Sequence, residues 1–238
     1  MLVFYLNQDR ETDSVMIFLH IPKTGGNTFN VIINKPYTER DCVVRLGDLD
    51  DLTMEELKRL EMVRGHMYFG VHQKLPQKKL NYITLVRNPI ERVISFFYYM
   101  GSLNNPDIET RDQFNKTSLY EFVTEESNNQ FNLQTNILAG SDLRPDTSET
   151  LEAAKNNLTK YFSLVGITER YDETLQVLQR KLGWEIDVQN KCNVTANKPA
   201  LREISNEIIE IIKSKSVMDS VLYQFANQLL DEQLGKLK

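Results

Sequence analysis

The sequence is poor in cysteine and has no long apolar run. Its 238 residues include two cysteines, Cys42 and Cys192, and a chain of this length does not need a disulfide to fold. We expect free thiols, with a single disulfide as the alternative. No run of about 18 or more apolar residues occurs, so no membrane-spanning helix is predicted. Residues 1–13 are too polar for a secretory signal. We therefore expect a cytoplasmic protein, or the soluble part of one that was once anchored.

The chain also has no excess of positive charge. The net charge is −5, which argues against a general nucleic-acid binder, because such proteins carry a basic surface. The few histidines and cysteines show no metal-ligand spacing, so no metal is expected. An acidic protein can still bind one anion through a few local cations and a helix N-terminus. The composition therefore leaves a small anionic ligand open.

No internal repeat, low-complexity segment or flexible linker interrupts the chain, so we predict a single domain over residues 1–238. Short apolar stretches indicate buried strands, and helical patterns follow them. The strands are predicted at residues 15–20, 63–66, 82–86 and 163–167. Strands that alternate with helices indicate a three-layer α/β fold, in which helices cover both faces of a central parallel sheet.

Helix starts and stops support this alternation. Thr53 and Glu56 form a capping-box pattern, which predicts a helix through about residue 61. Asn88 suits an N-cap, and Pro89 suits the first helical position. Further helices are predicted at residues 27–33, from residue 118, at residues 171–182 with Gly183 as the stop, and at residues 201–213 and 217–234.

The segment from Ile21 to Gly26 has the composition of an anion-binding loop. It lies between a predicted strand and a predicted helix, so the positive end of the helix dipole points at the loop. Gly25 and Gly26 let backbone N–H groups approach an anion closely, and Lys23 adds a full positive charge. Side chains that can donate further hydrogen bonds are those of Thr24, Asn27 and Thr28. A glycine turn with an exposed lysine is the structural alternative.

The order of residues in this loop differs from that of a Walker loop. A Walker loop has glycine, four residues, and then Gly-Lys-Ser/Thr. Here Lys23 and Thr24 precede the two glycines, and no glycine stands at the earlier position. A magnesium-dependent enzyme that uses ATP is therefore disfavoured, and a nucleotide kinase or NTPase is kept as the first alternative function.

A second candidate anion contact follows the strand predicted at residues 82–86. Arg87 stands at the end of that strand, and Ser95 comes seven residues after the N-cap Asn88. Two helical turns return Ser95 to nearly the same face. A guanidinium and a hydroxyl can then hold one phosphate together. A solvated arginine and a small packing serine are the structural alternatives.

Together the two segments resemble the sulfotransferases that use 3′-phosphoadenosine 5′-phosphosulfate (PAPS), in the branch that holds the carbohydrate (heparan) 2-O-sulfotransferases. Residues 21–26 look like the 5′-phosphosulfate loop of that branch, and residues 86–95 look like its 3′-phosphate segment. Looser matches lie at residues 65–70, 129–140 and 164–170, and the resemblance spans about residues 15–230. The chain is shorter than the animal enzymes and has no evident basic cleft, so the resemblance leaves the acceptor open.

The resemblance implies a P-loop-like fold whose nucleotide-binding elements lie mainly at residues 15–100 and 163–200. It implies transfer of a sulfuryl group from PAPS to a hydroxyl, with adenosine 3′,5′-bisphosphate as the other product and a glycan as the favoured acceptor. It assigns the 5′-phosphosulfate to Lys23, Thr24, Gly25, Gly26, Asn27 and Thr28, the 3′-phosphate to Arg87 and Ser95, and contacts over the nucleotide to Asn197 and Lys198.

Sulfuryl transfer, like phosphoryl transfer, requires in-line positioning and neutralisation of charge on the leaving oxygen. Lys23 is the expected catalytic cation. The resemblance implies His66 as the base, and an unperturbed imidazole pKa of ~6.5 suits that role. A structural role for His66 is the alternative, and His72 and His20 compete with it; we expect His20 to orient the loop instead. A non-catalytic nucleotide-binding protein of the same fold is the second alternative function.

Overall fold

Strands and helices alternate along the part of the chain that the structure, a computed structural model, describes. This part comprises residues 2–6, 13–34, 42–44, 49–76, 79–102, 107–142, 145–183 and 198–236. The strands are β1 (Leu2–Leu6), β2 (Ser14–Leu19), β3 (Cys42–Val44), β4 (Leu60–Gly65), β5 (Lys79–Val86) and β6 (Phe162–Ile167).

Helices account for most of the remaining described residues. They are α1 (Gly26–Asn34), α2 (Met54–Lys58), α3 (Pro89–Met100), α4 (Ile108–Lys116), α5 (Leu119–Thr124), α6 (Leu133–Ala139), α7 (Ser148–Tyr161), α8 (Tyr171–Leu182), α9 (Asn206–Lys215) and α10 (Val217–Gly235). Short 3₁₀ turns lie at Val71–Lys74, Thr168–Arg170 and Leu201–Glu203. Within the described ranges, none of the helices combines the length and the apolar content that a bilayer crossing requires.

The six strands form one sheet in the order β3-β1-β4-β2-β5-β6. Strands β4, β2, β5 and β6 run parallel to one another. At their carboxyl ends Leu19 is in register with Gly65 and with Thr84. The residues that follow each parallel strand therefore meet at one edge of the sheet, where open α/β folds bind their ligands. This four-strand parallel sheet, flanked by helices, confirms the predicted α/β fold.

Strands β1 and β3 add an antiparallel margin that the sequence did not predict. Strand β1 pairs antiparallel with both β3 and β4. Strand β4 also begins at Leu60, three residues before its predicted start. Helix α2 consequently ends at Lys58, so its predicted extension to residue 61 is wrong. Pairing between strands that are distant in the chain overrides the helical pattern at this boundary.

Local capping signals are confirmed where the predicted helices begin. The Thr53 hydroxyl accepts from the Glu56 N–H and the Glu56 carboxylate accepts from the Thr53 N–H, which completes the capping box. The Asn88 side chain accepts from two backbone N–H groups at the start of α3, with Pro89 in the first helical position. Helix α9 differs from its prediction, because Ser205 caps it and residues 201–203 form a 3₁₀ turn.

Helix α7 was not predicted, although the sequence contains a helical pattern there. Thr147 caps its start, and its buried residues Thr150, Ala154 and Leu158 recur every four positions. That spacing places them on one helix face. The helix lies next to β6 and joins the apolar cluster around the sheet. A second apolar cluster joins α3, α5 and α9 and supports the helix that follows Arg87.

Candidate active site

The loop between β2 and α1 is held by its own backbone and by its neighbours. The Thr24 hydroxyl donates to the carbonyl of Ile21 (2.9 Å), and Thr24 is fully buried. Lys23 adopts a left-handed φ of 69°, which is uncommon for a residue other than glycine. Gly25 continues the turn with a φ of 82°. These contacts give the loop one defined shape at the N-terminus of α1, where backbone N–H groups favour an anion.

The His20 ring packs against the loop at Gly26. The ring lies so close to Gly26 that a β-carbon there would come within 2.0 Å of His20 Nε2. The same ring stacks on Phe18, with 5.4 Å between ring centroids. Burial, followed by the repulsion of nearby cationic groups, lowers the pKa of His20 to about 3. A neutral, buried His20 fits the orienting role that the sequence indicated.

Three cationic side chains converge beside this loop. Arg87 Nη1 donates to the carbonyl oxygen of Lys23 at 2.9 Å, which holds the left-handed residue in place. Burial, and then the charges of Arg87 and Lys198, lower the pKa of Lys23 to about 8. Three cations that repel one another in a partly buried space form an anion site, because a bound anion removes the repulsion.

The carboxylates near this cluster neutralise only part of its charge. Glu91 Oε2 lies 3.3 Å from Arg87 Nη2 and also pairs with Lys198. Glu169 Oε1 lies 3.8 Å from Arg87 Nε, too far for a hydrogen bond. That Nε is buried and has no hydrogen-bond partner among the described residues. The cluster of Lys23, Arg87 and Lys198 therefore keeps an excess positive charge, which fits a phosphate or sulfate group.

One face of α3 lies next to the cationic cluster. Glu91, Ser95 and Tyr99 follow one another at intervals of four residues, so they share a helix face. Glu91 meets Arg87 at one end of this row, and at the other end Lys23 Nζ lies 3.8 Å from the centroid of the Tyr99 ring. Ser95, which is 2% exposed, stands between them. The joint hold of Arg87 and Ser95 on one phosphate stays a prediction.

His66 follows β4 and lies next to the base of the loop. Its Nδ1 is 2.8 Å from the carbonyl oxygen of His20. Since that carbonyl can only accept, Nδ1 carries the hydrogen and Nε2 carries the lone pair. The His66 side chain is exposed, but neighbouring groups still desolvate the ring and lower its pKa, and the hydrogen bond to His20 opposes this shift. Nε2 of a neutral imidazole can accept a proton from a substrate hydroxyl.

The structure places the remaining predicted site residues in different surroundings. Thr28 is buried on α1. The Thr24 hydroxyl is committed to Ile21 within the loop. Asn27 is the second residue of α1, but its side chain lies outside the described residues. The whole of Asn197 also lies outside them. Lys198 lies within the described chain and joins the cluster through Glu91.

Two positioning residues, the buried Gln134 and the half-buried Thr168, were not found from the sequence. The Thr168 hydroxyl donates to the carbonyl of Thr24 at 2.7 Å, tying the loop to the end of β6. The Gln134 side chain accepts from the Arg87 N–H and donates to the Arg87 carbonyl, both at 2.9 Å. Both lie in stretches that carry the looser resemblance, residues 164–170 and 129–140, which was the available signal.

A family model described as galactose-3-O-sulfotransferase matches residues 49–237. The chain belongs to this family. The match covers more than half of the chain and includes His66, Arg87, Ser95 and Lys198, whereas the loop around Lys23 precedes it. Membership confirms the resemblance to sulfotransferases that the two anion-binding segments indicated.

Curated relatives extend the family likeness over most of the chain. A heparin sulfate O-sulfotransferase of Drosophila melanogaster is 26% identical over 97% of this chain and 74% of its own length. The human heparan sulfate 2-O-sulfotransferase 1 is 26% identical over 73% of this chain and 56% of its own length. This chain thus spans about half to three quarters of these relatives. The mouse sulfotransferase SULT7A1 complexed with PAP is 15% identical, with a TM-score of 0.42 over 87% of this chain and 66% of that one.

Gln134 provides a test of how Arg87 is held. Gln134→Met keeps the volume but leaves the N–H and carbonyl of Arg87 unpaired in a buried place, so we expect a loss of about 1–3 kcal/mol in the free energy of unfolding. Urea denaturation measures it. Gln176→Met on the exposed face of α8 is the matched control and should change little. Equal stability of the two variants would remove Gln134 from this role.

Proposed function

We propose that this protein transfers a sulfuryl group from PAPS to a hydroxyl of a carbohydrate. The observation that carries the proposal is the convergence of Lys23, Arg87 and Lys198 beside the N-terminus of α1, where Lys23 has its pKa lowered to about 8. Family membership supports the sulfuryl-transfer chemistry. The family model is named for galactose and the relatives for heparin or heparan sulfate, and these names support a carbohydrate acceptor.

The donor fits a site that has cations at two points. The backbone N–H groups of α1 and the Lys23 ammonium are suited to the phosphosulfate end. Arg87 and Lys198 share the Glu91 carboxylate, so a phosphate group can replace that carboxylate as their partner. The two cations are therefore suited to the 3′-phosphate.

The transfer then requires two acts from this chain. His66 Nε2 takes the proton of the acceptor hydroxyl while the acceptor oxygen forms a bond to sulfur. The bond from sulfur to the bridging oxygen of the donor breaks, and Lys23 stabilises the negative charge that develops on that oxygen. Because His66 Nδ1 is fixed by the His20 carbonyl, the ring presents Nε2 in one orientation.

Nucleotide preference tests the proposal directly. Titration calorimetry should give the tightest binding for adenosine 3′,5′-bisphosphate, weaker binding for AMP, and no preference for ATP. Arg87→Ala should weaken the bisphosphate by about 10- to 100-fold, the value of a charge-assisted hydrogen bond, and should weaken AMP less, because AMP lacks the 3′-phosphate. Mass spectrometry of a glycan panel after incubation with PAPS then measures transfer.

Each outcome separates this proposal from its rivals. A clear preference for ATP would favour a kinase or NTPase. Unchanged bisphosphate affinity in Arg87→Ala would refute the 3′-phosphate assignment. Tight bisphosphate binding without transfer to any hydroxyl would support a non-catalytic nucleotide-binding protein.

A further inference from the structure

Asp219, in the first turn of α10, is a buried carboxylate with 1% of its surface exposed. Its Oδ1 accepts from the N–H and the hydroxyl of Thr135, both at 2.8 Å. Its Oδ2 accepts from the N–H (3.3 Å) and the side-chain amide (3.4 Å) of Gln134. Two of these bonds satisfy backbone N–H groups in the first turn of α6, where Asn132 gives no side-chain cap. A residue far along the chain therefore caps α6.

The surroundings of Asp219 favour its ionised form. Burial raises the pKa of this carboxyl, while the charge of Arg92 and the hydrogen bonds from Thr135 and Gln134 oppose the rise. Asp219 is also the third residue of α10, where the positive end of the helix dipole favours a negative charge. A protonated carboxyl would have to donate a hydrogen bond, whereas the groups in contact with it already donate. Asp219 is therefore an acceptor at both oxygens.

The acceptor character of Asp219 fixes which way the Gln134 amide points. Gln134 Nε2 faces the carboxylate, because nitrogen is the donor end of an amide. The same Nε2 donates to the Arg87 carbonyl, and Oε1 accepts from the Arg87 N–H, both at 2.9 Å. A flipped amide would set its oxygen against two other oxygens, those of the carboxylate and the carbonyl. Asp219 thereby determines how Gln134 holds the backbone of Arg87.

A second side chain of α10 reaches the same strand end. Tyr223 is four residues beyond Asp219, so the two share a helix face. The Tyr223 hydroxyl donates to Glu169 Oε2 at 3.2 Å. Glu169 Oε1 accepts from the Asn88 N–H at 3.1 Å and lies 3.8 Å from Arg87 Nε. Helix α10 therefore reaches residues 87–88 by two separate routes, each through one intermediate side chain.

The start of α10 is itself anchored to the start of α6. Asn132 Oδ1 accepts from the N–H groups of Met218 (3.0 Å) and Asp219 (3.2 Å). Its Nδ2 donates to the carbonyl of Lys215 at 3.2 Å, so the end of α9 is joined as well. A carboxylate whose backbone is held in this way can keep a neighbouring amide in one orientation.

We propose that Asp219 is a positioning residue for Arg87, and that Tyr223 assists it through Glu169. The start of α10 thereby sets the place of the guanidinium that binds the 3′-phosphate. This inference rests on the proposed function, because that function assigns the 3′-phosphate to Arg87. The competing explanation is that Asp219 only caps α6 and stabilises the fold.

A comparison of adenosine 3′,5′-bisphosphate with AMP distinguishes positioning from stability. AMP lacks the 3′-phosphate, so a misplaced Arg87 should weaken the bisphosphate more than AMP. Asp219→Asn replaces one carboxylate oxygen with an amide nitrogen, which cannot accept from the donors around it. Titration calorimetry should show at least about a 5-fold loss of affinity for the bisphosphate, and a loss below about 2-fold for AMP.

Leu230→Ala is the matched control for a loss of stability. Leu230 is buried on the same helix, about 16 Å along its axis from Asp219. Its truncation should lower the free energy of unfolding, as removal of a buried leucine does, and leave the ratio of the two affinities unchanged. An unchanged ratio in Asp219→Asn as well would overturn the inference.

Tyr223→Phe tests the second route and removes a hydroxyl alone, so it decides the question even if Asp219→Asn does not fold. The bisphosphate should lose about 2- to 5-fold in affinity, the value of one hydrogen bond, and AMP should change less. Tyr120→Phe, at an exposed tyrosine of α5, is the control and should change neither affinity. Equal affinity ratios in the two tyrosine variants would contradict the proposed role of α10. Failure of the proposed function shows separately, as wild-type protein that binds AMP as tightly as the bisphosphate.

Discussion

Lys23→Ala should lower kcat by about 100- to 1,000-fold, the usual effect of removing one group that stabilises charge on a reacting oxygen. Lys23 sits in the loop at the start of α1, and its ammonium contacts the Tyr99 ring at 3.8 Å instead of a carboxylate among the described residues. Its charge is thus available to a donor. Affinity for adenosine 3′,5′-bisphosphate should fall much less than kcat, because Arg87 and Lys198 remain.

The pH dependence of binding gives a second readout on Lys23. Burial, followed by repulsion from Arg87 and Lys198, lowers its pKa to about 8. In the wild type, affinity for the bisphosphate should therefore decline as the pH rises through about 8, because the neutral amine no longer attracts the anion. The Lys23→Ala variant should lack this decline.

Lys74→Ala is the control for Lys23, because Lys74 is an exposed lysine that pairs with Asp50 at 2.6 Å. It should leave kcat and the pH dependence as they are. Lys23→Ala protein that retains most of its turnover would show that the charge on the leaving oxygen is stabilised by another group.

His66→Ala should lower kcat/KM by about 100- to 10,000-fold, the range for loss of a general base. In the wild type, kcat/KM should fall as the pH drops through the pKa of His66, since only the neutral ring accepts a proton. Desolvation of the ring by neighbouring groups lowers that pKa from its ordinary value of 6.5, so the acidic limb lies below pH 6.5. In His66→Ala the residual activity should lose this limb.

His72→Ala is the matched control for His66. His72 Nδ1 lies 2.9 Å from the Tyr82 hydroxyl, and its ring packs against the aromatic rings of Phe69 and Tyr161. Its removal should reduce stability more than activity and keep the acidic limb. If His72→Ala abolished the limb and His66→Ala kept it, the base would have to be reassigned.

The anion loop and the helix caps could be predicted because they depend on near neighbours in the chain. The Thr53 capping box and the Asn88 cap each join residues within three positions, and the loop lies between a strand and a helix of clear pattern. Apolar periodicity likewise predicted the parallel strands. Strand β1 escaped prediction because its place depends on pairing with β4, more than fifty residues away.

The electrostatics of the site depend on contacts between distant parts of the chain. Arg87 reaches the carbonyl of a residue 64 positions earlier, and Lys198 pairs with Glu91 across 107 positions. No local pattern encodes such a meeting, so the lowered pKa of Lys23 and the support from Gln134 could not be predicted. The short motifs specify which groups can bind an anion, and packing of the sheet and α3 specifies that they share one space. The reason is physical: hydrogen bonds and caps act over a few residues, whereas charge coupling and burial act through space.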